Sequence, residues 1–219
     1  MLEIIPSILT DDLSEFGEVL DRLNDVSLPN FYPLTRVQID INDGTFLDVK
    51  TVEPQTLFEF TSDLKFDYHL MVTDPTLWVR RCVSADRIIG QIEYMASQSD
   101  FIGQLKEWGL KTGLAVDFDT DVENIDSEIL PELDVVLLMS YPAGMGGQDF
   151  NEMTFDKITK LKNIKLSRDC KFKICLDGGI TLDNIKRAKG SGIDEVVVGR
   201  KLTEGDIEEN LEKFYKATY

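Results

Sequence analysis

Short runs of apolar, often β-branched residues recur along the chain, and each is followed by a polar-punctuated stretch with helical spacing of its apolar positions. Such runs read as strands, and apolar residues returning every three or four positions read as helices with one buried face. Eight runs stand at 3–7, 36–41, 66–72, 87–90, 112–117, 134–140, 172–176 and 194–199. Several are apolar throughout, as in Val135 to Met139 and Val196 to Val198, which suits strands covered on both faces. Helix openings lie between them. Asp11 and Asp12 precede Phe16, Val19, Leu20 and Leu23; Asp74 with Pro75 opens a segment through Val79; Thr203 precedes Ile207, Leu211 and Phe214. A further helix is expected between Thr51 and Thr61.

Strands alternating with helices predict a parallel sheet in an α/β fold. Eight units in 219 residues, about 27 residues each, predict a compact (β/α)8 barrel of the TIM type. No linker or low-complexity tract interrupts the pattern, so residues 1–219 are expected to form one domain. A barrel of this kind carries its chemistry at the C-terminal ends of its strands. The polar residues there are Ser7; Asp40, Asn42 and Asp43; His69; Gln91 with Glu93; Asp117; Ser140; Asp177; and Arg200 after Gly199.

Charge narrows the partners. Lys and Arg number 23 against 40 Asp and Glu, a net charge of −17 that repels nucleic-acid phosphates and anionic lipid headgroups. Neither nucleic acid nor a membrane surface is expected as a partner. A small anion is compatible, because a few backbone N–H groups and one cation make a local positive site. The three cysteines, Cys82, Cys170 and Cys175, have no CxxC spacing and suggest neither a disulfide framework nor a zinc knuckle. The opening residues Met1 to Pro6 lack the features of a secretory leader, and no run of about 18 apolar residues occurs. A cytoplasmic location in a reducing compartment is the expectation.

Two constellations carry candidate chemistry. Asp40 and Asp177 each end an apolar run, and a carboxylate there is costly to bury unless paired. With His69, the one histidine of the chain, between them, they could hold a divalent ion and supply an acid and a base. Taken singly, a lone strand histidine is more often a core residue, and an aspartate at a strand end is often a cap. The second constellation is three glycine-rich turns: Ala143 to Gln148, Asp177 to Ile180, and Val198 to Arg200. Glycine lets backbone N–H groups approach an anion, and the loops after strands 7 and 8 often bind phosphate in this architecture. Tight strand-to-helix turns would need glycine as well. Arg200 favours phosphate, since a guanidinium binds it bidentately.

The motifs, in order, resemble the ribulose-phosphate 3-epimerase family. They are Pro6 to Leu9, Ile39 to Phe46, His69 to Val72, Leu137 to Ser140 with Gly144 to Phe150, and Leu176 to Ile180. The resemblance implies a ribulose-phosphate-binding barrel acting on a small sugar phosphate. Asp40 and Asp177 would be the acid/base pair that epimerises a ketose phosphate at C3, and would also ligate a divalent metal (Zn, Mn, Fe or Mg) together with His69. Ser7 would contact substrate, Met71 and Met139 would wall the site, and Gly146, Gly147, Gly178, Gly179, Gly199 and Arg200 would surround the phosphate. Self-association into a homo-oligomer is also implied.

Departures from the family pattern stand beside this. Gln38 occupies the position of a fourth metal ligand that is histidine in the family, and an amide oxygen is a poorer zinc ligand, so a weak, harder or absent metal is among the expectations. Gln91 stands for a second family histidine, Asn42 for a methionine, Ala143 for a proline and Arg200 for a serine. Two alternatives therefore remain open at this point: a phosphate-barrel enzyme acting on another sugar phosphate without metal, and a non-catalytic sugar-phosphate binder.

Overall fold

The computed structural model describes residues 2–28, 32, 34–46, 48–144 and 146–219. Eight parallel strands close into a barrel in sequence order: β1 (Glu3–Ile8), β2 (Arg36–Asn42), β3 (Lys65–Met71), β4 (Arg87–Gln91), β5 (Lys111–Val116), β6 (Val135–Met139), β7 (Lys173–Asp177) and β8 (Glu195–Val198). β8 returns to β1 through Glu3 opposite Glu195 and Pro6 opposite Val198, so no edge is left open. The expected barrel is therefore present, with each strand within two residues of its predicted bounds.

Side chains alternate across each strand, and the alternation produces two cores. Ile39, Tyr68, Leu70, Leu138, Leu176 and Val196 point outward and pack under the helices. Ile5, Ile89, Val135, Leu137, Cys175 and Val197 point inward and fill the barrel. Burial on both sides is why the strands read as nearly unbroken apolar runs.

The helices that cover the barrel are α1 (Leu13–Asn24), α2 (Gln98–Glu107), α3 (Thr154–Ser167), α4 (Ile185–Gly190), α5 (Arg200–Thr203) and α6 (Ile207–Ala217). The Asp12 carboxylate accepts hydrogen bonds from the backbone N–H groups of Ser14 and Glu15, and thereby caps α1 as its sequence suggested. Two expectations are corrected. The segments opened by Asp74 and lying between Thr51 and Thr61 are 3-10 helices, Pro75–Arg81 and Pro54–Glu59. Both begin with proline in short crossovers, where a tight turn closes the distance without a full α-helix. The C-terminal helix is capped by Asp206, not Thr203, because Gly205 at φ +72° breaks the chain between α5 and α6. Among the described residues no helix is long and apolar enough to cross a membrane.

At the N-terminal end the barrel interior is closed by charge. Asp67 and Glu195, both fully buried, face Arg87, whose Nη2 lies 2.6 Å from Asp67 and 2.8 Å from Glu195. Arg36 ion-pairs with the other oxygen of Asp67, and Lys173 lies 2.6 Å from Glu195 and 3.1 Å from Glu3. Each buried carboxylate is thus shared by two cations, which offset part of its desolvation.

Candidate active site

The opposite, C-terminal end of the barrel opens into a cavity. Parity on the strands puts Ser7, Gln38, Asp40, His69, Met71, Met139 and Asp177 on the inward face at this end. Ser7, Asp40, His69, Met71, Met139 and Asp177 line the cavity, and Gln38 lies beneath them. Neighbouring strands set the register, with Asp40 opposite His69 and Met139 opposite Asp177. The sequence-predicted groups therefore converge from β1, β2, β3, β6 and β7.

The polar floor of the cavity is a cluster of four side chains. His69 Nδ1 lies 3.3 Å from Asp40 Oδ1 and 3.8 Å from Asp177 Oδ2. Gln38 Nε2 donates to the same two oxygens, at 2.8 Å and 2.7 Å. It is the amide nitrogen of Gln38, not its carbonyl oxygen, that faces the carboxylates. On the far side of the imidazole, Gln91 Oε1 accepts from His69 Nε2 at 3.1 Å. This is the amide orientation in which Gln91 Nε2 also donates to Glu93 Oε2 at 2.8 Å and to Ala115 O at 3.3 Å. Fixing the proton on Nε2 leaves Nδ1 directed at the two aspartates.

These neighbours shift the titrations. Burial, and then the charge of Asp40, push the Asp177 carboxyl up to about 6, against the pull of His69 and Gln38. Burial by itself would lower His69, but the hydrogen bond and charge of Asp40, followed by the charges of Asp177 and Asp117, outweigh it and raise its pKa. Burial raises Glu93, only partly offset by the Asp117 N–H that it accepts at 2.8 Å. Among the described residues neither Asp40 nor Asp177 has a lysine or arginine as an ion-pair partner.

One ligand atom each from Asp40, His69 and Asp177 lies within 4.8 Å of the others. Two carboxylates and an imidazole suit a divalent cation. These three residues could hold a metal ion.

The glycine turns form the other end of the cavity. Gly146, Gly147, Gly178, Gly179, Gly199 and Arg200 all line it, whereas Met145 in the turn after β6 lies outside the described residues. Gly178 has φ +107°, and a Cβ there would stand 2.6 Å from Ser140 Oγ, so this turn admits no side chain. Ser140 Oγ donates to Gly178 O at 2.6 Å and Asn184 Nδ2 to Gly179 O at 2.9 Å, which fixes the turn after β7. Arg200 lies against the turn after β6: its Nη2 would be 3.1 Å and 3.2 Å from a Cβ on Gly146 and Gly147.

Other residues named from the sequence have different duties. Asp43 turns from the cavity and accepts from the backbone N–H groups of Thr45 at 2.9 Å and Thr73 at 2.8 Å, joining two loops. Asp117 likewise accepts from Ala143 N at 2.8 Å. Sequence reasoning missed Tyr141, which lines the cavity over Gly178 and keeps its proton because burial, and then the two aspartates, raise its pKa. Its one signal was its place directly after Ser140.

The sequence model of the ribulose-phosphate 3 epimerase family matches residues 3–203. A ribulose-phosphate 3-epimerase of Chlamydia pneumoniae is 31% identical over 209 residues, 92% of this chain and 87% of that protein. One of Treponema pallidum is 28% identical over 208 residues, 93% of this chain and 92% of that protein. Among solved structures, a 3-keto-L-gulonate-6-phosphate decarboxylase from Vibrio cholerae superposes with a TM-score of 0.67 at 13% identity, covering 99% of this chain and 96% of that one, a likeness of fold alone. With a match running from β1 to α5, this chain belongs to the ribulose-phosphate 3-epimerase family.

Proposed function

We propose that this chain interconverts ribulose 5-phosphate and xylulose 5-phosphate, one of Asp40 and Asp177 removing the C3 proton from one face and the other delivering a proton to the opposite face. The observation that carries the reading is the pair of carboxylates from β2 and β7, held beside one imidazole at the floor of a cavity whose other end is glycine turns and Arg200. The C3 proton is α to the C2 ketone, so its removal leaves a planar enediolate. Returning a proton to the same face regenerates substrate, whereas returning it to the opposite face gives the epimer. An epimerase therefore needs two proton-carrying groups, one for each face.

Asp177, with its carboxyl near 6, changes protonation close to neutrality and is suited to both giving and taking the proton. Asp40 serves the other face. His69, oriented by Gln91, keeps Nδ1 on the charged side of the site. Asp40, His69 and Asp177 would hold a divalent ion, and when bound it would supply positive charge that favours ionisation next to the ketone. Met71 and Met139 wall the reacting carbons, and Ser7 offers a hydroxyl to the sugar. The turns at Gly146, Gly147, Gly178, Gly179 and Gly199 present backbone N–H groups to the phosphate, with Arg200 as its cation.

The test is conversion of ribulose 5-phosphate by the purified chain with added Mn2+, Zn2+ or Mg2+, followed by NMR. Appearance of xylulose 5-phosphate is the expected result; unchanged substrate with every ion would refute the assignment.

A further inference from the structure

The two acidic groups at the cavity floor are joined by an amide, and that amide competes for the space of a cation. Gln38 stands two residues before Asp40 on the inward face of β2 and is 1% exposed. Its Nε2 lies 2.8 Å from Asp40 Oδ1 and 2.7 Å from Asp177 Oδ2. A primary amide has two N–H donors, and its nitrogen lone pair is delocalised into the carbonyl. The nitrogen therefore gives one hydrogen to each carboxylate and offers a metal no electron pair. Those two oxygens are also the ones facing His69 Nδ1. An ion held by Asp40, His69 and Asp177 must draw on the carboxylates that the amide already satisfies.

We propose that Gln38 is an internal competitor of the cation. Its amide links Asp40 to Asp177 while no ion is bound and has to leave the gap between them before an ion enters. The linked state relieves the repulsion of two adjacent carboxylates, so ion binding begins from a stabilised site and its affinity is lowered. This rests on reading Asp40, His69 and Asp177 as a cation site, and is independent of which sugar phosphate is turned over. A fourth-ligand role through Oε1 would need the amide turned over, and it makes the opposite prediction.

The experiment strips the full-length wild type, Gln38→Ala, Gln38→Leu and Gln38→His with a chelator and titrates each with Zn2+ against a chromophoric competitor. Gln38→Ala and Gln38→Leu remove the donors without adding a ligand and should bind Zn2+ on the order of 10- to 100-fold more tightly than wild type, the fold-change expected when the carboxylates no longer have to give up charge-assisted hydrogen bonds to the amide. Gln38→His, which also adds an imidazole, should bind more tightly still. Zinc affinity in the Ala and Leu variants equal to or below that of wild type overturns the proposal, a drop marking Gln38 as a ligand. No binding by any of the four proteins overturns both the proposal and the cation-site reading. The stripped proteins give a second readout, with Gln38→Leu expected to melt below wild type and to gain more in melting temperature on adding Zn2+. An unchanged melting temperature in the stripped state contradicts the clamp.

Discussion

The two ends of one barrel treat buried charge in opposite ways. At the N-terminal end, Asp67 and Glu195 are each held by two cations drawn from Arg36, Arg87 and Lys173. At the C-terminal end, Asp40 and Asp177 share an amide and one imidazole. The strands supply similar side chains to both, and the partners make the difference. Cations at each carboxylate make an ion-pair network that closes this end of the barrel, although at Asp67 burial still outweighs Arg87 and Arg36 and raises the carboxyl. Without a lysine or arginine beside it among the described residues, Asp177 is raised to about 6 by burial and by the charge of Asp40. On the proposed function, stability is concentrated at one end and reactivity at the other, in keeping with the division of labour in (β/α)8 barrels.

The comparison can be broken by substitution. Asp40→Asn and Asp177→Asn should each lower epimerisation by about 10²- to 10⁴-fold, the usual contribution of a positioned acid or base. Neither should lower the melting temperature of chelator-treated protein, since each removes a repulsion. Circular dichroism melts beside the kinetic assay check both halves, and a variant that loses stability in step with activity would erase the contrast. Arg87→Met should do the reverse. It leaves Asp67 with Arg36 alone and Glu195 with Lys173 alone in the barrel interior, and chemical denaturation should show a loss of about 3 to 5 kcal/mol, with activity per folded molecule retained.

The same contrast predicts opposite responses to pH. At the N-terminal end, burial would raise Glu195, but Arg87 and Lys173 outweigh it and hold the carboxyl below its ordinary 4.5. Its stabilisation is present above that value and is lost as pH falls through the folded pKa. At the mouth, the Asp177 carboxyl is raised from 3.8 to about 6, so the folded chain holds a proton that the unfolded chain has released between those values. Stability from this group therefore falls as pH rises across that window, by roughly 3 kcal/mol for a shift of about two units. His69, raised above 6.5, adds a stabilisation that is full below that value and is lost as pH climbs through its folded pKa. In chelator-treated protein, Asp177→Asn should therefore gain on wild type as pH rises from about 4 to 6. A constant difference in unfolding free energy across that range would remove the repulsion from the account.

The smallest expected effect is at Arg200. Arg200→Ala should raise KM for the sugar phosphate about 10- to 100-fold with little change in kcat, as expected from loss of a hydrogen bond to a charged group remote from the reacting carbon. An unaltered KM would place the phosphate elsewhere.

Much of this was legible in the chain. Strands buried on both faces write continuous apolar runs, so the run at 134–140 became Val135–Met139 and that at 66–72 became Lys65–Met71. Asp40, His69 and Asp177 were visible because each interrupts or ends such a run where a barrel opens. The 3-10 crossovers were not, since a capping Asp74 followed by Pro75 starts a turn without stating whether it continues as an α-helix. Nor was the floor network legible. Arg36, Asp67, Arg87 and Glu195 come from four strands, and only closure of the barrel brings them together. Gln38 was evident as a departure, but the direction of its amide depends on Asp177, 139 residues away in sequence.

The most direct test runs the reaction in deuterated water. Wild-type protein with a divalent ion should form xylulose 5-phosphate carrying solvent deuterium at C3, while Asp40→Asn and Asp177→Asn, folded as stably as wild type, should form it about 10²- to 10⁴-fold more slowly. Epimer that forms without solvent deuterium, or either Asn variant turning over at the wild-type rate, would contradict proton transfer by these two carboxylates.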